Sequence, residues 1–274
     1  MKPIVIYHYP CLDGFTAAWA CWLKHPDWEF YPAIHGDPMP DVTGRDVYLL
    51  DFSYKKPIME EILAKSSGKV VVLDHHVSAQ KELMSLLEDQ KILGQFDMSH
   101  SGAWLSWNYF HSTPAPMFVK LVEDRDLWKW AIPESRNANA VFFSYDYDFQ
   151  TWSDLHAKCE NPEQFAIVMM EGAAIERKHH KDVAELVART KRKIVIDGVS
   201  VWAANLPYTL VSDAGHLLAK DEPFAAVYFQ TASGFEFSLR STDTGSDVSE
   251  IAKKYGGGGH KNAAGFRIPN LESL

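Results

Sequence analysis

The chain has 274 residues, 46% of them hydrophobic and 23% charged, a globular composition that excludes disorder and suits one large domain or two ordinary ones. Twenty-seven Lys and Arg against 36 Asp and Glu leave a net charge of −9, which excludes a protein that coats long nucleic acid by charge alone. A small anionic substrate stays open if metal ions supply the local positive charge.

Ile4 to Tyr7 is a short, β-branched apolar run and predicts a buried strand, with His8 directly after it. Asp13 then stands where a helix begins, and Phe15, Ala18, Trp19, Trp22 and Leu23 recur on one helical face. Glu29 to Ala33 predicts a second strand and Val47 to Leu50 a third, followed by Asp51. A helix over Lys55 to Ser66 carries Pro57 in its first turn and stops at Gly68. Val70 to Leu73 is another buried strand, followed by Asp74, His75 and His76. Strands alternating with helices predict a parallel, helix-covered sheet, in which ligands bind beyond the carboxyl ends of the strands. His8, Asp51 and the triplet 74–76 all fall there.

Ser101 to Phe110 and Pro116 to Val122 predict helices, the second running into Glu123-Asp124-Arg125-Asp126. Residues 137–150 are aromatic and fit neither pattern cleanly. Pro162 to about Arg192 predicts a long helix whose later part is basic, the connection to a second domain. Beyond it, strands are predicted at Ile194 to Ile196, Val199 to Ala204, Phe224 to Gln230 and Phe235 to Leu239, and helices at Asp213 to Lys220 and Val248 to Tyr255. Four glycines, 256–259, read as a loop followed by His260 and Lys261.

Aspartate and histidine are the ligand set of divalent metals in hydrolytic sites, and paired ions can activate water and clamp a phosphoryl group. One Asp at one strand end is most simply a helix cap. Four such positions make the cap the weaker account. Gly256 to Gly259 suits close approach of backbone amides to an anion, with Arg240 from a neighbouring strand. Ser99, His100 and Ser101 suit either phosphate contacts or a plain helix cap. The basic stretch 177–193 suits a solvated helix face or, less simply, a guide for an oligonucleotide.

The run Val70-Val71-Val72-Leu73-Asp74-His75-His76 resembles the signature of the DHH phosphoesterase superfamily. Gly257-Gly258-Gly259-His260-Lys261-Asn262-Ala263-Ala264-Gly265 resembles that of its partner, the DHHA1 domain, and Phe237 to Ser241 the strand before it. His8 through Asp13-Gly14-Phe15 resembles the first motif, Asp51 the second, and Asp124 within Val122 to Trp128 the fourth. The resemblance spans essentially the whole chain. It implies an α/β fold: a parallel-sheet DHH catalytic domain over 1–180, and the end of a helical linker plus a smaller α/β DHHA1 domain over 181–274. The active site is expected in the cleft between them.

The resemblance further implies two divalent metal ions, Mn²⁺ with Mg²⁺, Zn²⁺ or Fe²⁺ as alternatives. The first would be held by His8, position 11 and Asp51, the second by Asp13, Asp51, His75 and Asp124. Position 11 departs from the common pattern, since Cys11 replaces a carboxylate. Its thiolate would favour softer ions, or else Cys11 is a packed residue beside a weak site. Asp126 is the alternative to Asp124. Asp74 would orient His75 or a nearby group, and His76 would face the substrate as donor or general acid. Arg240, Gly257, Gly258, Gly259, His260 and Lys261 would bind substrate.

The implied activity is hydrolysis of short oligonucleotides or dinucleotides to mononucleotides. Bisphosphate nucleotides, cyclic dinucleotides, polyphosphate, and a non-catalytic nucleotide sensor with a decayed metal site are the alternatives. Three cysteines, Cys11, Cys21 and Cys159, cannot build a disulfide framework, and the few residues before His8 are too short for a signal peptide. A cytoplasmic location is expected, with no membrane segment and no obligate protein partner. Oligomeric state is left open.

Overall fold

The computed structural model describes all 274 residues. The chain divides into two compact units, Met1–Glu176 and Arg177–Leu274, the division falling within one long helix.

The first unit is built on a five-stranded, all-parallel sheet of β1 (Ile4–His8), β2 (Glu29–Ala33), β3 (Val47–Leu50), β4 (Val70–Asp74) and β5 (Leu93–Phe96), in the order β2-β1-β3-β4-β5. The apolar runs are continuous because helices cover both faces. Val5, Tyr7, Tyr48, Leu50, Val71 and Leu73 face one core with α1 (Leu12–Trp22), α4 (Gly102–Phe110), α5 (Met117–Asp126) and α7 (Phe149–Glu160). Ile4, Ile6, Val47, Leu49, Val70 and Val72 face the other, under α2 (Lys56–Lys65) and α3 (Val77–Glu88). The chain runs from β1 outward to β2, then returns to place β3 on the other side of β1. That reversal makes the β1/β3 boundary the switch point, where the carboxyl ends open a crevice.

The ambiguous stretch 137–150 splits between α6 (Ser135–Phe142) and the start of α7, with a turn between them. Its aromatics stack on α1: Phe15 lies 4.9 Å from Phe149 and 5.2 Å from Tyr147, centroid to centroid. The long helix α8 spans Pro162–Thr190. No helix is long and apolar enough to cross a membrane.

The second unit holds a six-stranded mixed sheet of β6 (Arg192–Ile196), β7 (Val199–Asn205), β8 (Ala225–Thr231), β9 (Gly234–Arg240), β10 (Gly258–His260) and β11 (Ala263–Ile268), in the order β10-β11-β9-β8-β7-β6. The helix α9 (Val211–Ala219) packs on one face and α10 (Val248–Lys254) on the other. The glycine run expected as a loop is in part the edge strand β10, paired with β11 through Gly258↔Gly265, Gly259↔Ala264 and His260↔Ala263. A Cβ on Gly257 would lie 2.0 Å from the Gly265 carbonyl oxygen, and Gly259 has φ +139° with the Ala263 carbonyl 2.6 Å from its missing Cβ. Strand pairing therefore accounts for both glycines.

Candidate metal centre

Each strand end of the first sheet delivers side chains to the crevice. His8 ends β1, Asp51 follows β3, and Asp74 ends β4 with His75 and His76 next. Asp51 turns out of its strand at φ 52°, a left-handed conformation that Asp tolerates better than most residues, with its N–H donating to the Leu73 carbonyl. Cys11 stands at the start of α1 and Asp13 in its first turn. Asp126 is the last residue of α5.

These residues form two adjoining groups, His8-Cys11-Asp51 and Asp13-His75-Asp126, the candidate ligand atoms within each lying within 4.8 Å of one another. Asp51 stands between them. Its Oδ2 is 3.4 Å from His8 Nδ1, and its Oδ1 is 3.1 Å from His75 Nε2. His75 Nε2 is also 3.5 Å from Asp126 Oδ2 and 3.9 Å from Asp13 Oδ2. Asp13 and Asp51 are each 1% exposed; Asp13 Oδ2 has no hydrogen-bond partner, and Asp51 Oδ1 meets the His75 ring.

The helix α4 closes this side. Its Ala103 N–H donates to Asp13 Oδ1 at 3.1 Å. A Cβ on Gly102 would lie 2.4 Å from Asp51 Cβ and 2.9 Å from Asp13 Oδ2, so only glycine lets the helix start so close to both carboxylates. Ser101 is the cap, accepting from Trp104 N, and Ser99 bonds to Asp97. The cap reading accounts for Ser101, and Ser99 is engaged in the turn before the helix.

The electrostatics are those of crowded anions around imidazoles. Burial, then the charges of Asp126 and Asp51, push the Asp13 carboxyl well above its ordinary range. Burial and Asp51 push Asp126 up as well. Burial alone would raise Asp51 too, but hydrogen bonds and charge from His75 and His8 hold it well below. Against its own burial, His75 is pushed up to about 11 by Asp126, Asp51 and Asp13. Burial and the same carboxylates push the Cys11 thiol up. Buried carboxylate oxygens, that of Asp13 without a donor, mixed with imidazole nitrogens and one thiol, are the donor set of a divalent cation site. The residues present fit such ions.

Asp124 is corrected by the structure. Its Oδ1 accepts from Ala131 N at 2.8 Å, and its Oδ2 from Ile132 N at 3.1 Å and Ser135 Oγ. Both oxygens are committed to the turn after α5, which carries Trp128 and Trp130 at φ 54° and 50°. Asp126 takes the place beside Asp13 and His75. The available signal was periodicity: Val119, Val122 and Asp126 recur at i, i+3 and i+7 along α5.

Asp74 is fully buried and orients His76 rather than the His75 ring. Its Oδ1 lies 2.6 Å from His76 Nδ1 and accepts the N–H groups of His75 and His76, while Oδ2 accepts from Ser53 Oγ. Burial opposes its ionisation, but His76 and Ser53 hold it at about 2. His35, two residues past β2, was unassigned in the sequence. Its ring stacks on Phe52 at 4.6 Å and lies 5.2 Å from His8 and 6.5 Å from His76, centroid to centroid. Desolvation, then His8 and His76, push its pKa down to about 4.

In the second unit Arg240, Ala263 and His260 fall in one row across β9, β11 and β10, hence on one face of that sheet. Arg240 donates to the Leu239 carbonyl and to Ser212 Oγ. Lys261 donates to the Asp243 carbonyl. Along the basic stretch, Lys178 pairs with Asp182, Lys181 with Glu185, and Lys193 with Glu222, which favours the solvated face over a nucleic-acid track.

Residues 210–274 match the DHHA1 domain family. Over 98% of its length the chain is 30% identical to uncharacterized protein R106 of Acanthamoeba polyphaga mimivirus, covering 68% of that protein. It is 26% identical, over 74% of its length, to oligoribonuclease NrnB of Bacillus subtilis (strain 168), spanning about half (54%) of that relative. Among solved structures, the DHH domain of a protein described as a member of the s1p family of ribosomal proteins superposes with a TM-score of 0.60. That match has 13% identity and covers 97% of this chain and 82% of the other.

Proposed function

Since the chain belongs to the DHH/DHHA1 phosphoesterase superfamily, we propose that it is a divalent-metal-dependent phosphodiesterase that cleaves short oligonucleotides or dinucleotides to mononucleotides. One observation carries this reading: Asp51 offers one carboxylate oxygen to each of two adjoining ligand groups, at the switch point of a parallel sheet. His8, Cys11 and Asp51 would hold one cation, and Asp13, Asp51, His75 and Asp126 the second. Such ions, when bound, supply charge stabilisation at the phosphoryl oxygens and activation of water.

The chain's own residues do the rest. Asp74 fixes His76 in the tautomer protonated at Nδ1, as the 2.6 Å contact supports. The other ring nitrogen of His76 would serve the substrate, holding or passing a proton at the leaving oxygen. The α4 N-terminus, seated by Gly102, keeps Asp13 in place and water out of the buried side of the cluster. Arg240, Gly257, Gly258, Gly259, His260 and Lys261 are proposed as the substrate-binding set of the second unit.

Short oligonucleotides are favoured over long strands by the net charge of −9 and the pairing of the basic helix, and the likeness to NrnB supports the same choice. The test is a substrate panel with Mn²⁺: a dinucleotide, a 5-mer, a 20-mer, adenosine bisphosphate, a cyclic dinucleotide and polyphosphate. The dinucleotide and 5-mer are expected to have the highest kcat/KM. A preference for the 20-mer, for another member of the panel, or no turnover at all overturns the reading.

A further inference from the structure

We propose that His35 is a substrate-positioning residue of this centre, its imidazole N–H donating a hydrogen bond to a phosphoryl oxygen of the bound nucleotide; the inference rests on the phosphoesterase reading. Adjacent strands β2, β1, β3 and β4 bring His35, His8, Asp51 and His76 to the same carboxyl edge in that order. Tyr9 N–H donates to the Ala33 carbonyl, which ties the end of β2 to the end of β1 and fixes where His35 emerges. The three imidazoles of His8, His35 and His76 enclose a triangle with centroid separations of 5.2, 6.3 and 6.5 Å.

His8 is within reach of Asp51, and His76 is bonded to Asp74. The His35 ring lies against Phe52, itself 1% exposed and adjacent to Asp51, with 22° between the planes. The ring is thus held by a buried, rigid neighbour while the residue stays exposed at the mouth of the centre. It stands outside both candidate ligand groups. An exposed, pre-oriented imidazole beside the candidate ligand groups is built to meet substrate, and a hydrogen bond to a charged phosphoryl oxygen changes binding about tenfold to a hundredfold.

The experiment compares wild type, His35→Phe and His35→Gln. His35→Phe keeps an aromatic ring on Phe52 and removes the donor; His35→Gln restores an N–H donor. Each is titrated with Mn²⁺ alone. Each is then titrated, with Mn²⁺ present, with a dinucleotide carrying a methylene in place of the bridging ester oxygen, and kcat and KM are measured on the normal dinucleotide. The expected result is analogue binding weakened at least tenfold in His35→Phe and largely recovered in His35→Gln, with Mn²⁺ affinity and Tm at wild-type values.

Wild-type analogue affinity in His35→Phe overturns the inference, and so does loss of Mn²⁺ from that variant, which would make His35 part of the ion set. His35-dependent binding without cleavage of any phosphoester overturns the phosphoesterase reading and leaves the positioning role standing. A wild type that neither binds nor cleaves overturns both.

Discussion

The two units of this chain treat charge in opposite ways. At the crevice of the first sheet, Asp13 and Asp51 are buried, Asp13 Oδ2 meets no donor, and three aspartates crowd the one buried imidazole of His75. In the second unit, Arg240, Lys261 and Lys193 each have a partner the protein itself supplies. Unpaired buried charge costs several kcal/mol and survives only where something outside the fold repays it. On the proposed reading, the first unit is accordingly the seat of the chemistry. The second presents residues already fixed in position, in keeping with the substrate-binding role proposed for it.

The strongest way to break this contrast is to neutralise its centre. Asp51→Asn should lower phosphodiester turnover by about 10³-fold or more, because one carboxylate serves both ligand groups. Its Tm without metal should also fall, since the lost charge is the one that His75 and His8 hold ionised. Dinucleotide kinetics with Mn²⁺ and a thermal melt in EDTA check both. Near-wild-type turnover would remove the paired-cation reading and with it the contrast.

A second test sets two aspartates of one helix against each other. Asp126→Asn should weaken Mn²⁺ binding and turnover at least 100-fold, with metal-free stability unchanged or higher, because it relieves crowding with Asp51 and Asp13. Asp124→Asn should do the reverse. It breaks up a carboxylate that accepts from Ala131, Ile132 and Ser135, and should destabilise by about 3 kcal/mol while the folded protein still binds Mn²⁺. Urea unfolding and Mn²⁺ titration of both variants decide it; Mn²⁺ loss from stably folded Asp124→Asn would reverse the assignment.

The choice between these two aspartates marks the limit of what the sequence discloses. The strands were legible because buried parallel strands are written as continuous apolar runs, and the residues at their ends, His8, Asp51, Asp74, His75 and His76, stood out as polar breaks in those runs. Around 124–126 the pattern is less decisive, because both a helix-end ligand and an inward-facing turn anchor are Asp. The recurrence of Val119, Val122 and Asp126 leans towards Asp126, and the hydrogen bonds of Asp124 to residues 131–135 decide it. The short, largely exposed β5 carries no periodicity, so Leu93–Phe96 passed unread. Gly102 and His35 act through neighbours distant in sequence: Asp51 and Asp13 for the first, Phe52 and His8 for the second. Nothing local reports such contacts.

The glycine hairpin gives a third test, within the second unit. Gly259→Ala forces a side chain into φ +139° and onto the Ala263 carbonyl, and Gly257→Ala drives one into the Gly265 carbonyl. Each should cost about 1–3 kcal/mol and loosen β10, raising KM for the dinucleotide several-fold. Mn²⁺ affinity should stay at the wild-type value, since the ligands lie in the other unit. If Mn²⁺ affinity falls in step with KM, the division of labour between the units fails.

The smallest expected effect removes the contrast altogether, because it concerns ordinary helix caps that both units use alike. Asp148 begins α7 in the first unit and accepts from Thr151 N at 2.8 Å; Asp247 begins α10 in the second and accepts from Ser249 N at 3.0 Å. The Thr151 amide holds Asp148 below its ordinary value; desolvation acts to raise Asp247, but hydrogen bonds from Ser249 and Glu250 together hold it below its own. A carboxylate depressed on folding contributes stability above its unfolded pKa of about 3.9 and loses it as pH falls through the lower folded value. Asp148→Ala and Asp247→Ala should therefore each cost about 1 kcal/mol at pH 7, and the deficit should shrink as the pH falls below about 3.9. Neither should alter Mn²⁺ affinity or kcat. Chemical unfolding of the two variants at pH 7 and pH 3 measures this. A deficit that is the same at both pH values would mean that the caps act by packing alone, with no contribution from the carboxylate charge.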